Sequence, residues 1–177
     1  MSNFTGKPSL RFKGFTDAWE QQFIKEFASI TTGKSNTQDQ NDEGIYPFYV
    51  RSETPVRSNK YLYDEEAVLT IGDGQIGKVF HYVNGKFDLH QRVYKIYDFK
   101  NIDAKYFYHY FSTKFYNRAM QMTAKATVDS VRLEMISDMI VFIPKSEVEQ
   151  KLISLILDHF DTLITLHQRK YKKLQSL

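Results

Sequence analysis

No cysteine occurs among the 177 residues. Disulfides and thiolate metal sites are therefore excluded, and the composition fits a reducing compartment. No stretch approaches the roughly 18 consecutive apolar residues that a membrane span needs. The opening residues Met1, Ser2, Asn3, Phe4 and Thr5 lack the apolar run of a signal peptide. The expected location is the cytoplasm. Proline (4) and glycine (8) are scarce, and no low-complexity linker or internal repeat divides the chain. The histidines, His81, His90, His109, His159 and His167, are scattered without ligand spacing, so no metal site is expected. No Ser, His and Asp group stands out as a catalytic set.

What the chain does have is aromatic. The 14 phenylalanines and 12 tyrosines can fill a core or stack on bases. The formal charge of +3 is mildly basic and by itself says little about nucleic acid. The length suits one domain of ordinary size with an appendage, and the first 144 residues suffice for a core.

Leu10, Phe12, Phe15 and Trp19 predict a segment pinned onto the domain. Residues 23–30 read as a short helix and residues 31–44 as a polar loop. Strand patterns follow at 45–50, 67–71, 78–83, 93–97 and 139–143. Pro47 demotes the first of these towards a sheet edge, and Asn84-Gly85 signals a hairpin. Asp103 caps a helix whose face carries Phe107, Tyr110, Phe111 and Phe115, ending near Met122. Residues 123–131 read as a loop. Antiparallel-looking strands with segregated helices predict an α+β fold.

Gly72-Asp73-Gly74-Gln75-Ile76-Gly77-Lys78 fits two phosphate-binding patterns, G-x-G-x-x-G and G-x-x-x-x-G-K. Both require a following helix whose N-terminal amides hold the phosphates. Here Val79-Phe80-His81-Tyr82-Val83 reads as strand, and Val79 stands where a P-loop needs Ser or Thr for magnesium. The better reading is a glycine-rich turn between strands, with Asp73, Gln75 and Lys78 available to a nucleic-acid backbone or base edge. Asp103-Ala104-Lys105 resembles half of a nuclease carboxylate–lysine site, but no partner carboxylate motif precedes it.

Donor-rich residues recur in the loops: Lys34 and Ser35, Arg51 and Ser52, Lys60, Gln75 and Lys78, Gln91 and Arg92, Lys125 and Thr127. Arg and Lys read guanine edges and phosphates, and Gln reads adenine. Each alone is better read as a solvated surface residue; together they favour DNA contact.

One long helix is predicted from about Ser146 to Leu177, because Pro144 suits its entry and no Gly or Pro follows to interrupt it. Ser146 and Glu149 have the spacing of a capping box. Ile153, Ile156, Phe160, Leu163, His167, Lys170, Leu174 and Leu177 step by three and four, as a heptad seam does. Such a helix either lies on its own domain or seeks a partner, and its length favours a partner.

Pro8-Ser9-Leu10-Arg11-Phe12-Lys13-Gly14-Phe15, with Trp19-Glu20, resembles the start of a repeat in type I restriction–modification specificity subunits. Residues 140–157, with Ile140-Val141-Phe142-Ile143-Pro144 and Glu149-Gln150-Lys151, are similar to that family's junction between target recognition domain and spacer helix. Residues 72–78 and 123–133 are also similar to family stretches.

The resemblance implies a non-catalytic subunit that recognises a bipartite DNA target and directs methyltransferase (M) and restriction (R) subunits to it. It implies a target recognition domain over residues 1–144 and a conserved spacer helix over 145–177. S-adenosylmethionine, ATP and magnesium would belong to the partner subunits, with no cofactor in this chain. One recognition domain with one spacer helix reads as a half-subunit, and the expected form is a homodimer. Its interface would use Ile153, Ile156, Phe160, Leu163, Leu174 and Leu177. Two other readings remain: a coiled-coil adaptor without DNA specificity, and a stand-alone nuclease.

Overall fold

The computed structural model describes residue 6, residues 8–122 and residues 130–175. In chain order it runs β1 (Glu20–Phe23), α1 (Ile24–Phe27), β2 (Ser29–Thr32), a 3-10 turn (Thr37–Asp39), β3 (Tyr46–Tyr49), β4 (Val56–Ser58) and β5 (Tyr63–Ile71). It continues with β6 (Phe80–Leu89), β7 (Val93–Tyr97), α2 (Ala104–Gln121), α3 (Leu133–Ser137), β8 (Ile140–Ile143) and α4 (Glu147–Gln175). A 6-stranded sheet has the order β2-β7-β5-β6-β3-β4, and β1 pairs with β8 in a 2-stranded sheet. Pairing is antiparallel except between β3 and β6. The fold is α+β, as the strand and helix pattern predicts.

In the central strand β5, residues 67–71 are buried on both faces, because each face meets a core. Val68 joins a cluster with Phe107, Phe111, Phe115 and Ile136 on the helix side. Ala67, Leu69 and Ile71 join Val83, Phe87, Leu89 and Val93 on the other. Only strands and the turns next to them contribute to this second cluster. A flat sheet would leave that face in water, so the sheet must curl over it. Gly85, at φ +119°, sits inside β6 with open space around it. Glycine at such a point lets a strand bend. Beyond the bend, β6 leaves β5 at Phe87 and pairs Asp88 and Leu89 with β3.

That bend corrects the hairpin expected at Asn84-Gly85. The strand bends there without turning back, pairing Asn84 with Glu66 and Gly85 with Glu65. The true β5–β6 turn is the glycine-rich segment 72–79. Pro47 does not mark an edge either: β3 lies between β6 and β4. Its pairing with β6 starts only at Phe48, so the missing proline N–H costs no ladder bond on that side. The expected helix over 23–30 shrinks to α1, since long-range pairing claims both ends, β1 with β8 and β2 with β7.

Helix α2 begins where Asp103 accepts a hydrogen bond from the Tyr106 N–H at 2.7 Å. Every fourth residue then stacks: Phe107 on Phe111 at 5.3 Å and Phe111 on Phe115 at 4.6 Å between ring centroids. Phe27 and Phe80 meet this column edge-on at 5.6 and 5.5 Å.

The 29 residues of α4 span about 43 Å at 1.5 Å per residue. Its first turns lie on the domain. Gln150 is buried, accepts from the Asp103 N–H at 2.7 Å and donates to the Pro144 carbonyl at 2.8 Å. The capping box is only half made. The Glu149 N–H reaches Ser146 Oγ at 3.4 Å, but the Glu149 carboxylate turns to Arg11, at 2.6 Å from Nε and 2.8 Å from Nη2. Arg11 rather than Leu10 thus pins the N-terminal segment; Leu10 is 89% exposed. From residue 159 to 175 every side chain of α4 is exposed.

Asp158 closes the strap between α4 and α2, 2.6 Å from Lys105 Nζ and 2.8 Å from His109 Nε2, with Asp161 3.8 Å from the other His109 nitrogen. Partial burial disfavours its charge, but the hydrogen bonds from Lys105 and His109 outweigh this and hold the carboxyl below the usual range. A depressed native pKa adds stability above the unfolded value of about 3.9 and loses it as pH falls through the native value. The thermal-midpoint gap between the parent chain and Asp158→Asn should therefore be widest above about pH 4 and close on further acidification. A gap independent of pH in a melting series would contradict the assignment.

Candidate functional site

The β5–β6 turn, the residues after β3 and the link between β6 and β7 converge at one end of the curled sheet. Their junction is a carboxylate. Asp73 lies 3.2 Å from Arg51 Nη1 through each of its oxygens and 2.8 Å from Arg92 Nη1. Burial works against its charge, and the hydrogen bonds from Arg92 and Arg51 outweigh it, so the carboxyl is held below its ordinary range. Both guanidinium groups stay at least half exposed while Asp73 is mostly covered.

The backbone around Asp73 is fixed. The Gly72 N–H donates to the Arg92 carbonyl at 2.7 Å, and the Val131 N–H donates to the Gly72 carbonyl at 2.7 Å. Asp73 itself bridges to Ser130. Further along the turn Ile76 is buried in the helix-side core. Gly77 sits at φ +68° against α2, where a Cβ would meet Tyr116 Cα at 2.8 Å. Only glycine allows that approach. The turn is thus mounted on both the sheet and α2, with Gln75 and Lys78 exposed on it.

Arg51, Ser52 and Gln75 share a cleft of about 360 Å³. Gln91 and Lys34 are exposed beside it, where Ser35 bridges to His90 and the Gln91 N–H donates to the Ser35 carbonyl at 2.9 Å. His90 Nδ1 accepts from the Arg92 N–H at 3.1 Å. Burial, then the charges of Arg51 and Arg92, hold its pKa below the ordinary value, so His90 is neutral at pH 7. His81 is also held low by burial and lies 3.2 Å from the Ser52 carbonyl.

The sequence-predicted residues therefore fall into distinct places. Arg51, Ser52, Gln75 and Arg92 surround or adjoin Asp73. Lys34 and Gln91 flank that group, and Lys78 ends the same turn. Ser35 is not a surface donor: it is buried, and its hydroxyl donates to Asp88 at 2.6 Å. Lys60 stands with a different acid, 2.8 Å from Asp39. Lys125 and Thr127 lie outside the described residues. On α4, Ile153 packs against the helix-side core, while Ile156, Phe160, Leu163 and Leu174 are exposed. Leu177 lies outside the described residues.

Residues 16–176 match the family described as "Type I restriction modification DNA specificity domain". The chain belongs to this family. A stretch of 78 residues, 44% of the chain, is 31% identical to the type I restriction enzyme EcoDI specificity subunit of Escherichia coli and covers 17% of it. The S subunit of a type I restriction–modification system from M. genitalium superposes with a TM-score of 0.71 at 16% identity, over 85% of this chain and 40% of that one. The HsdS subunit of Thermoanaerobacter tengcongensis gives 0.60 at 13% identity, over 92% and 41%. At such identities the likeness speaks for the fold. The chain thus spans about two-fifths of the solved S subunits it resembles.

For a specificity-domain chain, two buried supports stand out that sequence reasoning missed. Asp88 accepts from Ser35 at 2.6 Å, Ser58 at 3.2 Å and the Leu89 N–H at 2.9 Å, tying the end of β6 to β4 and to the segment after β2. Lys95 is buried with its ammonium 3.8 Å from the ring centroids of both Tyr63 and Tyr97, and it pairs with Glu65. Neither has a local signal, since a charged residue in a strand reads as solvent-facing. Among the described residues, no cluster of His, Cys, Asp or Glu is placed to hold a metal, and no helix is long and apolar enough to cross a membrane.

Proposed function

We propose that this chain is the DNA-reading part of a type I restriction–modification specificity subunit, acting in the cytoplasm without chemistry of its own. The loops around Asp73 enter the duplex, and Arg51, Gln75, Gln91 and Arg92 meet base edges and phosphates. Helix α4 serves as the spacer that methyltransferase subunits grip, with restriction subunits joining the full assembly. S-adenosylmethionine, ATP and magnesium come with those partners. A second copy of the chain covers the exposed seam of α4, and the two-fold pair reads inverted half-sites.

One observation carries this reading: in a chain of this family, arginine and glutamine side chains from turns far apart in sequence come together on one exposed end of the sheet. Arginine and glutamine are the side chains that pair bidentately with guanine and adenine.

The direct test is to supply this chain and a type I methyltransferase subunit to cells and sequence the methylated sites. The expected result is a bipartite motif with inverted symmetry and an unread gap. No motif, or one without inverted symmetry, would sink the proposal or its dimer. Arg92→Ala should weaken methylation of that motif by about 5- to 150-fold, the value of a lost bidentate contact at about 1–3 kcal/mol. An unchanged methylation rate would remove Arg92 from the reading set.

A further inference from the structure

We propose that Asp73 is a positioning residue for specificity: its carboxylate holds Arg51 and Arg92 as one fork and keeps them from settling on phosphates of random DNA. The role rests on the DNA reading above and adds to it a regulator of that same surface.

The geometry singles out Asp73 in three ways. Among the described residues it is the acid that both arginines touch, at 3.2 Å and 2.8 Å. Its backbone is the fixed partner, held by the bridge to Ser130 and by the bonds of Gly72 to Arg92 and Val131. The guanidinium ends are the free partners, at least half exposed where the carboxylate is mostly covered.

A carboxylate so placed does two things at once. It takes donors that a DNA phosphate would otherwise receive, lowering the gain from sequence-independent contact. It also fixes the planes of both guanidinium groups before DNA arrives, and bidentate recognition depends on that plane. A cognate base edge, fixed in the groove, can use donors already aligned. A random duplex offers only phosphates, which must compete with Asp73 for them.

The test uses the full chain with two probes, a random-sequence duplex titrated over a salt series and a randomised duplex library for selection. Asp73→Asn should bind the random duplex several-fold more tightly. Its salt dependence should steepen by about 0.9 in the log–log slope, one added phosphate contact. The motif selected by Asp73→Asn should lose preference at one or two positions that Arg51→Gln and Arg92→Gln also blur. Asp73→Glu, which keeps the charge, should return the random-duplex affinity to the parent level.

If Asp73→Asn folds with unchanged slope and returns the parent motif, the positioning role is overturned while the DNA reading stands. A lowered thermal midpoint with neither readout moved also overturns it, since a purely structural acid behaves that way. Should Asp73→Asn fail to fold, Asp73→Ser, with its short polar side chain, takes its place in the same comparison. A parent chain without salt-dependent duplex binding would overturn the DNA reading and the role of Asp73 together.

Discussion

Phe160→Asp should leave the chain monomeric at concentrations where the parent self-associates. Phe160 is 55% exposed on α4 and belongs to neither core cluster, although Asp158 and Asp161 on the same turn reach α2. Ile156, Leu163, Ile164 and Tyr171 continue an exposed apolar surface around it. Such a stripe is stable in water only when covered. Burying one phenylalanine gains about 1.5–3 kcal/mol, and a two-fold seam buries it twice. Losing both copies costs roughly 3–6 kcal/mol, a weakening of about 10²- to 10⁴-fold, before any penalty for the buried aspartates.

Charge along α4 points the same way. Glu147, Glu149, Asp158 and Asp161 lie in the first half, and Arg169, Lys170, Lys172 and Lys173 in the second. Antiparallel pairing sets acid against base and opposes the helix dipoles. Light scattering across a dilution series checks the outcome. A parent that is monomeric throughout, or a variant that associates as the parent does, would refute the seam. Because Phe160 lies outside both core clusters, the domain's own melting should change little once dilution has removed the dimer.

The second large effect belongs to the core. Phe111→Ala should lower the thermal midpoint by about 6–20 °C. A fully buried phenylalanine truncated to alanine costs about 3–5 kcal/mol, and each kcal/mol is worth about 2–4 °C in a domain of this size. Phe111 is completely buried, stacked between Phe107 and Phe115 and met edge-on by Phe80. It joins α2 to β6, and the turn carrying Asp73 and Gln75 leans on α2 through Gly77. The variant should therefore also lose DNA affinity at temperatures where it is still mostly folded. Calorimetry checks the first effect; a shift under 2 °C would mean the site collapses onto the gap far more completely than stacked rings allow.

Local signals carried much of the fold into the sequence. The cap at Asp103 and the four-residue step of Phe107, Phe111 and Phe115 act within one helix, and both stand as read. The glycine-rich turn was legible as a turn because the strand after it excluded a phosphate loop. The Asn84-Gly85 pair misled for the opposite reason. A hairpin signal is local, but whether it closes depends on what the next strand finds to pair with. Here β6 keeps its partner β5 through Lys86 and Phe87. The candidate loops were legible as donor-rich, yet nothing local separated Ser35, which is buried as a support, from Arg51, which is exposed.

By itself the sequence determined the α+β class, the long interrupted-by-nothing helix after Pro144 and the family that residues 16–176 match. Capping, periodicity and turn chemistry act over a few residues, so one chain suffices to read them. Only the tertiary structure decided that Asp73 gathers arginines 22 and 19 residues away, that Glu149 is claimed by Arg11 138 residues before it, and where α4 leaves the domain. Those contacts depend on how a curled sheet brings distant turns to one end. Their strength comes from burial and charge pairing that exist only once the chain is folded.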